Sequence, residues 1–155
     1  MRRLNQLTIG AVGLLGVIGA PLSASAAPAS ETTCSTIIVR AAYIRANNTN
    51  EILGAVQLRR DTCGYRWAWA KMYERNDSTL ITQAYISRWE GNVRQAIFTC
   101  DSPGGIGHIG TNETECRTPK IRKVTSTTTF IASARHNWFH ETAWSCIGKG
   151  QTVRG

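Results

Sequence analysis

The sequence predicts an all-β protein, an antiparallel meander forming a small sandwich or barrel-like domain tied by disulfides, and three observations predict it. Between Thr36 and Trp89, β-branched and aromatic residues come in short runs of strand length. Turn-forming breaks separate those runs: Asn47-Asn48-Thr49-Asn50, Asp61-Thr62-Cys63-Gly64, Asn76-Asp77-Ser78 and Glu90-Gly91-Asn92. All five cysteines, Cys34, Cys63, Cys100, Cys116 and Cys146, follow residue 33 and none forms a Cys-x-x-Cys pair, which favours bridges over a redox motif or a zinc ribbon.

The chain opens with Met1-Arg2-Arg3, an apolar run from Leu7 to Leu22, and Ala24-Ser25-Ala26-Ala27. A basic start, a short apolar stretch and a small-x-small site read as a secretory signal peptide over 1–26. The apolar run is broken by Gly10, Gly13, Gly16, Gly19 and Pro21 and falls short of the roughly 20 residues a membrane-spanning helix needs. A secreted, extracellular protein of 129 residues would remain. Residues 27–33 are expected to be a flexible mature N-terminus and 34–155 a single β domain, with no second apolar segment to hold it in a membrane. Strands are expected near 36–45, 52–60, 65–74, 79–89, 93–100, 120–131 and 138–146.

The hairpin around Cys63 is the best specified. A four-residue connection from Asp61 to Gly64 would set Arg60 opposite Tyr65, Leu58 opposite Trp67 and Val56 opposite Trp69, gathering the apolar side chains on one face. One residue of slip would send the tryptophans to the other face. The reverse face would then pair Arg59 with Arg66, two like charges that either splay into water or hold an anion between them. Arg59 and Arg66 are therefore the candidate ligand-binding residues.

The run Gly54-Ala55-Val56-Gln57-Leu58-Arg59, followed by Cys63 and then Trp67-Ala68, resembles the hairpin of a family of small secreted actinobacterial and bacillar proteins defined by a domain of unknown function. The resemblance covers about residues 34–72. It implies bacterial export and a β hairpin with Cys63 bridged, and it brings no catalytic residue or substrate. The chain departs from that pattern by having only Cys34 where further cysteines are usual, and Trp69 at a usually basic place.

Five cysteines allow two bridges and one free thiol. Cys34 with Cys63 and Cys100 with Cys116 is the preferred pairing, since each pair brackets a segment able to fold back on itself. A bridge from Cys100 or Cys116 to Cys146 is the alternative. Loss of Arg2 and Arg3 leaves 16 Lys and Arg against 10 Asp and Glu. A basic exported domain suits an anionic cell-wall polymer or another protein as partner, though the basic residues are scattered and Lys120-Ile121-Arg122-Lys123 is the sole run.

Three constellations could carry chemistry. Gly105-Ile106-Gly107-His108-Ile109-Gly110 has the letters of a dinucleotide turn, but no strand enters it and no helix leaves it, so no nucleotide and no cofactor is expected. It reads instead as a mobile glycine loop. His136 and His140 would share a helical face, yet on a strand they stand about 13 Å apart, too far to share a metal ion. With Glu141 they are the candidate catalytic residues of an alternative, a small hydrolase acting on RNA or cell-wall substrate. A further alternative is an enzyme inhibitor presenting the Cys100–Cys116 loop. Tyr65, Trp67 and Trp69 alternate on one face and, with Trp89, Trp138 and Trp144, are expected to be core rings rather than sugar platforms. The leading expectation is a non-enzymatic binding domain.

Overall fold

The computed structural model describes residues 33–140 and 142–155. The expected signal peptide 1–26, residues 27–32 of the expected tail and Glu141 lie outside the described residues. The described residues hold nine strands: β1 (Thr36–Ala46), β2 (Ile52–Asp61), β3 (Tyr65–Met72), β4 (Leu80–Glu90), β5 (Val93–Thr99), β6 (Glu115–Arg117), β7 (Ile121–Arg122), β8 (Thr128–His140) and β9 (Ala143–Gln151). They form one curled antiparallel sheet in the order β5-β4-β8-β9-β1-β2-β3-β6, with β7 also pairing β3. The all-β, barrel-like expectation holds. Sequential pairing runs through β1 to β3, β4 to β5 and β8 to β9, and two non-sequential pairings, β1 with β9 and β4 with β8, join these pieces. No described helix is long and apolar enough to cross a membrane.

The sheet curls because its inner face is built from small residues between a few large ones. Ala68, Ala70, Ala84, Ala132 and Ala134 are buried beside Phe130, Leu58, Ile86, Ile44 and Val56. Small side chains let facing strands approach, and the large ones fill what remains. At the junction of β1 and β9 the limit is reached: a Cβ on Gly150 would collide with the Tyr43 carbonyl oxygen, and one on Gly148 would meet Leu53.

A disulfide and a loop close the open side of the curl. Cys100, just after β5, is bonded to Cys116 in β6, so the two outermost strands of the sheet are covalently tied. Between them the loop makes strand-like bonds in both directions: Ile106 N–H to Arg117 O (3.0 Å), and a reciprocal pair between Ile109 and Thr82 (2.8 and 3.0 Å). Ile109 is completely buried in the core. The glycines that imitate a nucleotide motif serve this path. Gly104 and Gly107 take positive φ, and a Cβ on Gly105 would strike the Cys100 carbonyl. The loop is a closing segment with a buried centre, where the sequence suggested a mobile loop.

Two expectations need correction. The β2–β3 register differs by one residue, with Arg60 opposite Arg66, Arg59 opposite Trp67, and Val56 opposite Ala70. Asp61 causes this: its buried carboxylate accepts the Tyr65 N–H (2.9 Å), while Gly64, at φ 88°, turns its own N–H to the Asp61 carbonyl (3.1 Å). Tyr65 is thereby drawn into the turn, and the strand resumes one residue later. Trp67 and Trp69 thus stand on the face away from Val56 and Leu58. The second correction concerns the strands expected near 120–131 and 138–146: the latter is divided between the end of β8 and the start of β9, and β8 runs unbroken through 132–137. Its alternation of Thr128, Phe130, Ala132, Ala134 and His136 toward the core survives although alanine has a weak strand preference.

Cys34 is bonded to Cys63, and Cys146 is a free, exposed thiol, as the preferred pairing required. Replacing both Cys100 and Cys116 with serine should cost about 3 kcal/mol for a loop of this length, read as a lowered Tm. Gly150→Ala should cost roughly 1–3 kcal/mol through collision with the β1 backbone. An unchanged Tm in either variant would contradict the closure described here.

Candidate functional site

The outer face of the sheet carries most of the chemistry. Along β3, Tyr65, Trp67 and Trp69 point outward, and a cation lies over each ring: Arg122 at 5.3 Å, Lys120 at 4.5 Å and Arg59 at 3.8 Å from the centroid. Arg45 over Tyr43, Arg135 over Tyr85 and Arg154 over Trp89 repeat the arrangement elsewhere. Proteins show such pairs roughly once per 70–80 residues, so this surface is several-fold enriched in them. A cation on a ring is held in place without being neutralised, as a carboxylate would neutralise it.

The register brings two of these cations, Arg45 and Arg135, into one row with Lys149 between them. Gln83 on β4 faces Arg135 on β8, Arg135 faces Lys149 on β9, and Lys149 faces Arg45 on β1. Three like charges sit side by side on consecutive strands, spanning about 10 Å. No carboxylate pairs with them: among the described residues the ion pairs are His108–Asp101 and Lys120–Asp61. Arg45 instead donates to the Asn50 carbonyl at 3.1 Å. Tyr43, Ser133, Arg135, Lys149 and Gln151 line an open groove of about 540 Å³ beside the row. Directly opposed like charges cost roughly 0.2–1 kcal/mol per pair, so the row is a local loss of stability that an anion would relieve.

The arginines singled out from the sequence do not come together. Arg59 lies on the outer face, its Nε donating to Gln57 Oε1 at 2.7 Å, whereas Arg66 faces the other way opposite Arg60. The expected Arg59–Arg66 pair is therefore replaced by Arg60–Arg66, because of the one-residue shift at Asp61. Burial, and then the neighbouring Arg60 charge, push the Arg66 guanidinium below its usual range.

His136 and His140 are also separate. His136 is buried on the inner face, its Nδ1 2.7 Å from Thr82 Oγ1. Asn76 Nδ2 donates to that hydroxyl at 3.4 Å. The Thr82 hydroxyl thus occupies Nδ1 inside the core, and the buried ring is held in place by β4. The His140 ring packs instead against Trp138, 4.8 Å away, and Glu141 lies outside the described residues. No group of three metal-ligating side chains occurs among the described residues.

Sequence reasoning passed over His108 and Asp101. Asp101 Oδ1 accepts both the ring Nδ1–H and the backbone N–H of His108, each at 2.9 Å, and Oδ2 accepts from Gln83 Nε2 at 2.8 Å. Burial pushes the Asp101 carboxyl up, but the bonds from His108 and Gln83 outweigh it and hold the group below its usual range. The pair pins the closing loop to β4. Nothing in the sequence joins these residues except the Cys100–Cys116 bracket around them.

The tryptophans divide. Trp67 is 3 % exposed and meets the expectation of burial, although on the outer face under Lys120, while Trp138 and Trp144 are 40 % and 52 % exposed.

Two buried groups set the response to acid. Burial lowers the His136 imidazole, against a smaller upward pull from Asp77. The unfolded chain therefore takes this proton first, and the stability it contributes is lost as pH falls below about 6.5. For Asp61, burial raises the carboxyl, but the bonds from the Tyr65 N–H and Lys120 Nζ (3.0 Å) prevail and lower it. Its contribution is present above about pH 3.9 and lost as pH falls through the lower folded value. Tm should thus decline in two stages, with His136→Gln flattening the first. Asp61→Asn should cost about 1–3 kcal/mol at pH 7. A Tm constant from pH 7.5 to 5 would contradict the His136 assignment.

Comparison of the chain with protein-family models, with curated proteins and with solved structures finds no match, so the functional reading stands on this geometry alone.

Proposed function

We propose that this chain is an exported, non-enzymatic binding domain that takes up an anionic cell-wall polymer on the outer face of its sheet. The observation that carries the reading is the Arg45–Lys149–Arg135 row, three opposed cations with no carboxylate partner among the described residues, beside an open groove. Tyr43 and Tyr85 hold the two guanidinium groups from below, which lessens the side-chain entropy lost when an anion binds. Two disulfides accord with an oxidising compartment. The hydrolase alternative is disfavoured by the burial of His136, whose Nδ1 is bonded to Thr82, and by its separation from His140. The inhibitor alternative is disfavoured by the buried centre of the Cys100–Cys116 loop.

The test is calorimetric binding to a phosphate-bearing wall polymer, with a neutral glucan as control. Binding should weaken as salt rises, because exposed charges are screened over about 8 Å at physiological ionic strength. The triple variant Arg45→Gln, Lys149→Gln, Arg135→Gln should bind ten- to a hundredfold less tightly, at roughly 0.5–1 kcal/mol per cation. It should also melt at an equal or higher temperature, since repulsion within the row is removed. Equal affinity in the variant, or turnover of RNA or wall polymer abolished by His140→Ala, would overturn the proposal.

A further inference from the structure

The hairpin of β8 and β9 outruns its neighbours. β4 begins at Leu80, opposite Trp138, and the last bond on that side runs from the Phe139 N–H to the Thr79 carbonyl (2.8 Å). On the other side β1 ends at Ala46, opposite Gly148, with Asn47 reaching the carbonyls of Ile147 and Cys146 (both 2.8 Å). The hairpin continues past these contacts on its own two strands, and its end, from Trp138 and Phe139 at the last contacts on the β4 side to His140 and Trp144 beyond them, is aromatic on both faces. Phe139 faces Trp144 on one, their rings 4.9 Å apart, and Trp138 packs on His140 on the other. The three apolar rings are 39 %, 52 % and 40 % exposed, in that order.

We infer that this hairpin end is a membrane-docking tip that seats in the interfacial layer of a bilayer containing anionic phospholipid. A protein partner would cover one face of a protruding hairpin, whereas a fluid interface covers both, and here both faces carry rings. Trp is the side chain best suited to that layer, with a large apolar body and an N–H that keeps a polar partner.

Charge gives the second argument. Along the outer face of the hairpin the opposed pairs run from Arg135 with Lys149, through Asn137 with Cys146, to Phe139 with Trp144 at the tip. A one-residue bulge at Ile147 keeps Lys149 and Trp144 on that same face. The cations stand about 13 Å behind the rings, and their long side chains can lean toward headgroup phosphates while the rings sit at the acyl boundary. From 135 to 149 the sequence holds a single acid, Glu141. The inference goes beyond polymer binding, sharing two cations with that site but depending on rings that the site does not use.

The test is sedimentation with vesicles of phosphatidylglycerol and phosphatidylcholine, compared with phosphatidylcholine alone, accompanied by quenching of tryptophan emission by brominated lipid. The full chain should bind the anionic vesicles and be quenched. The variant Trp138→Ser, Phe139→Ser, Trp144→Ser should lose about tenfold or more of that binding, and its quenching, with Tm and wall-polymer affinity unchanged. Arg135→Gln with Lys149→Gln should bind anionic vesicles less well yet keep the quenching of the fraction that binds. Absence of vesicle binding by the full chain, or equal binding by the ring variant, would overturn the inference. Because the ring variant retains the cationic row, its polymer binding reports separately on the function proposed above.

Discussion

Closure of the gap between β5 and β6 is the constraint on which the rest of the molecule depends. A curled open sheet has two edges, each a row of unpaired backbone groups that invites association with another chain. Here no further strand fills the gap. The loop from Cys100 to Cys116 bonds to Arg117 on one side and Thr82 on the other, and the disulfide holds its ends. Glycines ease that path, because at Gly105 the chain doubles back onto the Cys100 carbonyl and at Gly104 and Gly107 it adopts positive φ, as it does again at Asn112. The buried Ile109 then completes the core from the open side, and Asp101 with His108 fastens the loop to Gln83 on β4. A glycine pattern that imitates phosphate recognition is thus consumed by a packing problem.

What could be read from the sequence was local. The hairpins, their turns and the bracketing cysteines all depend on neighbours within about thirty positions, and the strands from β1 to β5 fall where the turn residues place them. The β2–β3 register was legible to within one residue and no closer. A side-chain carboxylate competing for the Tyr65 N–H leaves no trace in an alternation of apolar and polar residues. That one residue reverses the meaning of the pattern. With Trp67 opposite Arg59, the rings are outward and cation-covered, and the inner face is left to Val56, Leu58, Ala68 and Ala70. Alanine and serine concealed the continuity of β8 in a similar way, since strand preference is weak there and only burial by β4 and β9 sustains the alternation.

The candidate site was not legible, and the reason is topological. Arg45, Arg135 and Lys149 are scattered in sequence and become neighbours only because β9 inserts between β8 and β1. Arg135 and Lys149 share the sequential β8–β9 hairpin, but the β1–β9 pairing is not sequential, and nothing near Arg45 signals a partner a hundred positions away. The surplus of arginine was visible; its arrangement was not. The same holds for the aromatic end of the hairpin, whose rings are ordinary strand residues until β4 is seen to end at Trp138 and β1 to end short of them.

The position of the cationic row joins closure to function. The sheet consists of two halves, β5-β4-β8-β9 and β1-β2-β3-β6, that meet at the loop-filled seam and again where β1 pairs with β9. At this second meeting the register covers two residue pairs, Arg45 with Lys149 and Ala46 with Gly148, so it is a short junction. Its inner side is pared to Gly148 and Gly150 so that the backbones can approach, and its outer side carries the opposed cations. Repulsion therefore acts across a narrow hydrogen-bonded link between the halves, opposed by the disulfide at the far seam. An anion lying across Arg45, Lys149 and Arg135 would replace that repulsion with attraction and brace the junction, and any ligand that binds the folded state alone stabilises it by mass action. A covalent tie on one side of the curl thus allows an electrostatically strained junction to persist on the other, where a ligand can use it.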